Sequence, residues 1–132
     1  MENQAMNVVT EFLTAVQKGN TAKLGALLHP EVKWSQPGDN VVSGFKSNAD
    51  EVFQMVGQMF ELSSNTLALT EIKVLAENGN SIACLVHWKA IRPNGQVLDI
   101  DNIDVYTVGN GLINNVVVYS EDIDVENEFW RR

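Results

Sequence analysis

Three aspartates and one histidine in the second half of the chain are the residues best suited to moving protons. Asp99, Asp101 and Asp104 fall in one short β-branched run, and His87 lies upstream between Val86 and Trp88. Side chains alternate between the two faces of a strand, so these three aspartates cannot all share one face, and at least one is solvated. A carboxyl on an inward position is costly if it is charged and unpaired. Asp104 is therefore expected to be neutral with a raised pKa, or paired with Lys89 or Arg92 on the neighbouring strand. Either a raised pKa or a paired state suits acid–base or oxyanion chemistry. His87 is a candidate general base because imidazole titrates near neutral pH, its alternative being a hydrogen bond within a packed sheet. Gln36, an amide shortly after Trp34, suits hydrogen bonding to a ligand. Trp34, Tyr106, Tyr119 and Trp88 could supply aromatic walls with polar tips, or simply core.

Other chemistries find little support. Two histidines at unrelated positions, Cys84 and the pair Asp99 and Asp101 give no zinc-ligand spacing. His29, just before Pro30, reads as a helix-end residue. There is no nucleophile elbow, phosphate loop or dinucleotide fingerprint. Any chemistry is thus expected to need no metal and no cofactor.

Those side chains must be carried by a chain of 132 residues, the length of one domain spanning 1–132. Seventeen acidic residues against nine basic ones give a net charge of −8, which would repel a polyanion, so no nucleic-acid partner is expected. Glu2 and the lack of an apolar run after it argue against a signal peptide, and no stretch is apolar enough for a membrane span. Cys84 is the only cysteine, so an internal disulfide is impossible and a cytoplasmic location is expected.

Periodicity predicts a first helix over Ala5–Lys18, with Met6, Val9, Phe12, Leu13 and Val16 on one face. Gly19 and Asn20 separate it from a short helix with Leu24, Leu27 and Leu28, which Pro30 should stop. A brief strand over Val32–Gln36 and a Pro37–Asn40 turn follow. Ser47 with Asp50 predicts the cap of a third helix, whose apolar face holds Val52, Phe53, Val56, Met59 and Phe60. The texture then becomes β-branched. Turns at Asn78-Gly79, Asn94-Gly95 and Gly109–Gly111 predict an antiparallel meander of strands Leu67–Ala76, Ser81–Arg92, Val97–Val108 and Leu112–Glu121. Asp122–Arg132 is a charged tail anchored by Phe129 and Trp130. Helices first and strands later mean an α+β fold. Both faces of the central strands are largely apolar, with Leu112, Val116 and Val118 assigned to one face of the last strand. One face packs the helices, and a second copy of the sheet is the simplest cover for the other, so a homodimer through the outer sheet face is expected.

This order of elements, with "LLHPEVKWSQPG" between the second helix and the turn, resembles the nuclear-transport-factor-2-like superfamily, which includes SnoaL-like cyclases and ketosteroid isomerases. The resemblance covers nearly the whole chain. It implies three N-terminal helices packed on a strongly curved antiparallel sheet, a cone-shaped, cystatin-like roll with a pocket on its concave face. It also implies a dimer through the convex face. In the run Asn102-Ile103-Asp104-Val105-Tyr106-Thr107-Val108, Asp104 matches the strand aspartate of ketosteroid isomerases. The position of their helix tyrosine reads Phe12, and that of their base, in Trp34-Ser35-Gln36-Pro37, reads Gln36. Gln36 cannot take up and return a proton, which argues against steroid-type isomerisation. SnoaL-like cyclases pair a strand histidine with an aspartate, a role the resemblance offers to His87 with Asp104 or Asp101.

The expected function is a pocket that binds a small organic molecule. Asp104 and His87 are its candidate catalytic residues, and Phe12, Trp34, Gln36, Tyr106 and Tyr119 its candidate ligand contacts. Whether it isomerises, cyclises or hydrolyses that molecule, only binds it, or serves as a protein-interaction module is left open by these residues.

Overall fold

The computed structural model describes residues 4–132, which leaves Glu2 outside the described residues. Helix α1 (Gln4–Lys18) buries Val9, Phe12 and Leu13 and ends at Gly19, whose φ of +66° is open to a residue without Cβ. Helix α2 (Thr21–Leu27) is capped by the Asn20 side chain, which accepts from the Lys23 N–H. It passes directly into β1 (Leu28–Gln36). Pro30, expected to lie between the two, sits inside the strand. The register of β1 on its neighbour shifts between Leu28 and Lys33, so the missing N–H of Pro30 falls where the ladder is already irregular.

The short strand β2 (Gly44–Lys46) was not foreseen; it pairs antiparallel with the end of β1. Helix α3 (Ala49–Leu62) is capped one residue later than the sequence pattern implied. Asn48 accepts from the Glu51 N–H, and the Glu51 carboxylate accepts from the Ser47 N–H and hydroxyl at 2.6 and 2.7 Å. Those bonds from Ser47 hold the Glu51 pKa below the usual carboxylate value.

The meander follows as β3 (Ala68–Asn78), β4 (Ser81–Ile91), β5 (Val97–Gly109) and β6 (Leu112–Ser120), and the tail forms helix α4 (Ile123–Phe129). Asp122 caps α4, accepting from Val125 N–H. The result is an α+β fold of four helices and a six-stranded curved sheet, in the order β2-β1-β6-β5-β4-β3. The sheet is mixed rather than wholly antiparallel, because β1 runs parallel to β6. Register shifts in β3 after Leu69 and Val74 place bulges that increase bending. A further shift between Thr107 and Val108 turns Ile113 inward beside Val116 and Val118, in place of Leu112. The core lies between the helices and the inner face of the sheet, where Ile82, Cys84 and Val86 are wholly buried.

Candidate functional site

The alternation of β5 builds the site. Leu98, Ile100, Asn102, Asp104, Tyr106 and Val108 are buried on the inner face, and the intervening residues point outward. Above the inner face, beneath α1 and α3, is a cavity of about 150 Å³. Gly19, Thr21 and Leu24 at the α1–α2 junction and Phe53 and Met59 of α3 are its more exposed lining, and so mark its mouth. Asn102, Asp104, Tyr106, Gln36, Glu126 and Trp130 form its buried polar floor. The walls between are apolar.

Asp104 is 3% exposed. The Tyr106 hydroxyl donates to Asp104 Oδ2 at 2.8 Å, and the Tyr106 ring packs against Phe12 with centroids 5.8 Å apart. Asp104 Oδ1 has no hydrogen-bond partner among the described residues. Burial pushes the Asp104 pKa up to about 7, the Tyr106 hydroxyl draws it down, and the charge of Glu126 raises it further. Near neutral pH the carboxyl is thus divided between its acid and its base, so it can either give or take a proton. Burial, with Asp104 beside it, also raises Tyr106 well above the ordinary phenol value, so Tyr106 acts as a neutral donor. Burial and Asp104, its cross-strand partner, push the Cys84 thiol up to about 11.

The indole N–H of Trp34 donates to Gln36 Oε1 at 2.9 Å. An indole nitrogen can only donate, so this bond settles which end of the amide is the carbonyl and leaves the Gln36 NH2 as a donor at the cavity.

Opposite lies α4. Glu126, Phe129 and Trp130 share one helical face, and all three are buried. Burial raises the Glu126 pKa. Ser120, Asn102 and Trp130 lie close enough to its carboxylate to favour the charged form, though the Trp130 N–H closes no bond of normal geometry. Asn102 Oδ1, Glu126 Oε2 and Trp130 Nε1 join Asp104 Oδ1 as buried polar atoms without a partner among the described residues.

Of the residues singled out by sequence, the fold brings Asp104, Phe12, Trp34, Gln36 and Tyr106 to this cavity, together with Trp88. It takes His87 and Tyr119 to the opposite face. His87 lies directly across from Asp101, with Nδ1 2.6 Å from Asp101 Oδ1 and Nε2 2.5 Å from Asp99 Oδ1. Carboxylates only accept, so both bonds form only when the ring is doubly protonated. The Asp101 bond is the main cause of a raised His87 pKa, with slight burial opposing it and Asp99 adding to it. Tyr119 is 58% exposed on that same outer face. His87 and Asp104 therefore do not form a pair: Asp101, opposite His87, is three residues from Asp104, and an odd step along a strand reverses the face. Lys89 and Arg92 do not reach Asp104 either; Arg92 donates to the Phe129 and Arg131 carbonyls. His29 lies in β1, its Nδ1 accepting from the Glu31 N–H.

Sequence reasoning missed Asn102 and Glu126 and treated Trp130 only as an anchor. The signals were present: Asn102 shares the parity of Asp104, and Glu126 is an acid at helical spacing from Phe129 and Trp130.

Comparison with known proteins gives a consistent result. The model of the SnoaL-like domain family matches residues 9–116, a span that includes Asp104 and ends before Glu126. The chain is 24% identical over 125 residues to Uncharacterized protein Rv0034 of Mycobacterium tuberculosis, covering 95% of each. It is similar to the crystal structure of a protein of unknown function with a cystatin-like fold from Xanthomonas campestris. That match has a TM-score of 0.91 and 30% identity and covers 97% of this chain and 98% of the other. It is similar in fold to TerC, co-crystallized with polyporic acid, at a TM-score of 0.83 and 12% identity, over 96% of this chain and 97% of the other.

Proposed function

We propose that this chain, which belongs to the SnoaL-like domain family, binds a small organic molecule in its cavity and performs cofactor-independent acid–base chemistry on it. Asp104 is the proton-handling residue. The observation that carries this reading is a carboxyl buried at the floor of an apolar cavity, with one oxygen held by Tyr106 and the other free. Its pKa of about 7 keeps both protonation states available at working pH. Phe12 backs Tyr106, while Trp34 fixes Gln36 so that its amide can orient a ligand oxygen. TerC, of similar fold, holds polyporic acid in its crystal, which supports a small organic ligand for this scaffold.

The test is proton exchange in D2O, followed by NMR, over a panel of ring-bearing ketones and alcohols. The wild type should exchange hydrogen at carbon in at least one member, and Asp104→Asn should abolish that exchange while the compound still binds. Exchange that survives the substitution sinks the mechanism. Binding without exchange in either protein favours a non-catalytic ligand-binding protein.

The same reading takes residues 1–132 as one SnoaL-like domain and the protein as cytoplasmic, in keeping with the free, buried Cys84. It also takes the protein as a homodimer through the outer sheet face. Ile103 and Tyr119 are exposed there, and Leu85, Val105 and Val117 are half-buried around them, an apolar area suited to an isologous contact.

A further inference from the structure

We propose that Glu126 and Asp104 together make this cavity a site for an amine carried on an apolar ring, with the ammonium seated on the polar floor. The inference rests on the pocket reading above and specifies the chemistry of its ligand.

Three buried acceptors lining one floor have no partner among the described residues: Asn102 Oδ1, Asp104 Oδ1 and Glu126 Oε2. Buried polar atoms are normally satisfied, so a cluster of orphans in a cavity describes what its occupant supplies. Three acceptors call for a ligand rich in donors. A hydroxyl brings one; a primary ammonium brings three, together with a positive charge.

Charge decides the same way. Two carboxyls face the cavity and, among the described residues, no lysine, arginine or histidine lines it. An anionic ligand would find only the neutral donors of Gln36 and Trp130, with two carboxyls against it and no cation to offset the loss of its hydration. A cation would turn two costly buried acids into charge-assisted hydrogen bonds. The wall suits a cation as well. Phe12, Trp34, Trp88 and Tyr106 give it an aromatic lining, which attracts ammonium groups electrostatically. A cavity of about 150 Å³ accommodates one ring. Trp130 Nε1 is the one orphaned donor of the set, and an oxygen beside the ligand's nitrogen would satisfy it. Glu126 and Trp130, at α4 and its C-terminal cap, lie beyond the span matched by the family model, whereas Asn102 and Asp104 on β5 lie within it.

The three tryptophans, Trp34, Trp88 and Trp130, all line the cavity, so intrinsic fluorescence reports its occupancy. The experiment titrates the full chain at pH 7.5 with benzylamine, benzyl alcohol and benzoate, three probes of nearly equal size, by fluorescence and calorimetry. Benzylamine should bind at least about tenfold tighter than benzyl alcohol, through its charge-assisted bonds, and benzoate should not bind. Glu126→Gln should bring benzylamine down to the level of benzyl alcohol while leaving the alcohol within about threefold, because only the charged contact is lost. Benzoate or benzyl alcohol binding as tightly as benzylamine overturns the amine assignment and leaves the pocket standing. A preference for the amine that persists in Glu126→Gln removes Glu126 from it. If none of the three binds at millimolar concentration, the amine assignment and the pocket reading fail together.

Discussion

The hydroxyl of Tyr106 lies 2.8 Å from Asp104 Oδ2, two residues along the same inner face of β5. That bond is the one interaction holding the buried carboxyl toward its charged form, against burial and Glu126. Tyr106→Phe should therefore move the Asp104 pKa above about 7. A carbon-13 titration of the Asp104 carboxyl measures this directly. The variant should also lose about 1 kcal/mol of stability, the usual net value of a hydrogen bond. A midpoint that stays in place or falls would mean that Tyr106 does not tune the acid.

Stability should fall as pH rises from about 4 to about 7. In the folded protein Asp104 holds its proton up to about 7, whereas its reference value is 3.8. Between these values the native state binds more protons, so the contribution is complete below 3.8 and is lost as pH passes 7. The span corresponds to on the order of 4 kcal/mol at most, reduced by any water that enters. Glu126, also raised by burial, pushes in the same direction. His87 adds a loss of the same sign at higher pH, kept small by solvent screening. Glu51 acts oppositely, in acid, because its pKa is lowered. Urea denaturation at pH 5 and pH 8 should show the wild type more stable at pH 5, with Asp104→Asn closing much of that gap. An unchanged gap would place the titration elsewhere.

Ile103→Glu, on the outer face, should convert a dimer into a monomer without altering ligand binding, because the cavity lies on the other side of the sheet. Native mass spectrometry at micromolar concentration reads the outcome. A wild type that is already monomeric there removes the dimer from the account.

Gly38→Ala should destabilise the protein by roughly 1–3 kcal/mol, the scale of a strained backbone residue, as measured by chemical denaturation. Gly38 has a φ of +93°, and a Cβ there would come within 2.6 Å of Asn127 Oδ1. The same oxygen accepts from the Asp39 N–H at 2.7 Å and from Asn40 Nδ2 at 2.9 Å. An alanine must therefore displace the Asn127 side chain from its bonds to the turn, in addition to adopting a left-handed backbone. A neutral effect would show that this contact yields freely.

The meander was legible because Asn-Gly and Gly-Asn-Gly turns constrain the backbone locally. Parity alone said only that Asp99, Asp101 and Asp104 cannot share a face; the ketosteroid-isomerase resemblance singled out Asp104, which the structure buries. What escaped was non-local. The parallel pairing of β1 with β6 leaves no trace in either strand's pattern, so Pro30 looked like an endpoint when it is interior to a strand. The cyclase resemblance offered His87 either Asp104 or Asp101 as a partner, and only the cross-strand register shows it opposite Asp101, on the outer face. Glu126 read as one more charge in an acidic tail: its helical spacing from Phe129 and Trp130 marks a shared face, but not that this face docks on the inner side of the sheet.

The hydrogen bonds that tie α4 to the turn after β1 join residues 87 and 88 positions apart, from Asn40 to Asn127 and from Asp39 to Asn127. The hairpins of β3 to β6 are local and can form early, whereas the docking of α4 and β1 must await closure of a very long loop. On this ground the floor of the ligand site is expected to order after the meander. A kinetic intermediate with a complete meander would expose its tryptophans to water and bind nothing, and a ligand added during refolding would act only on the final step.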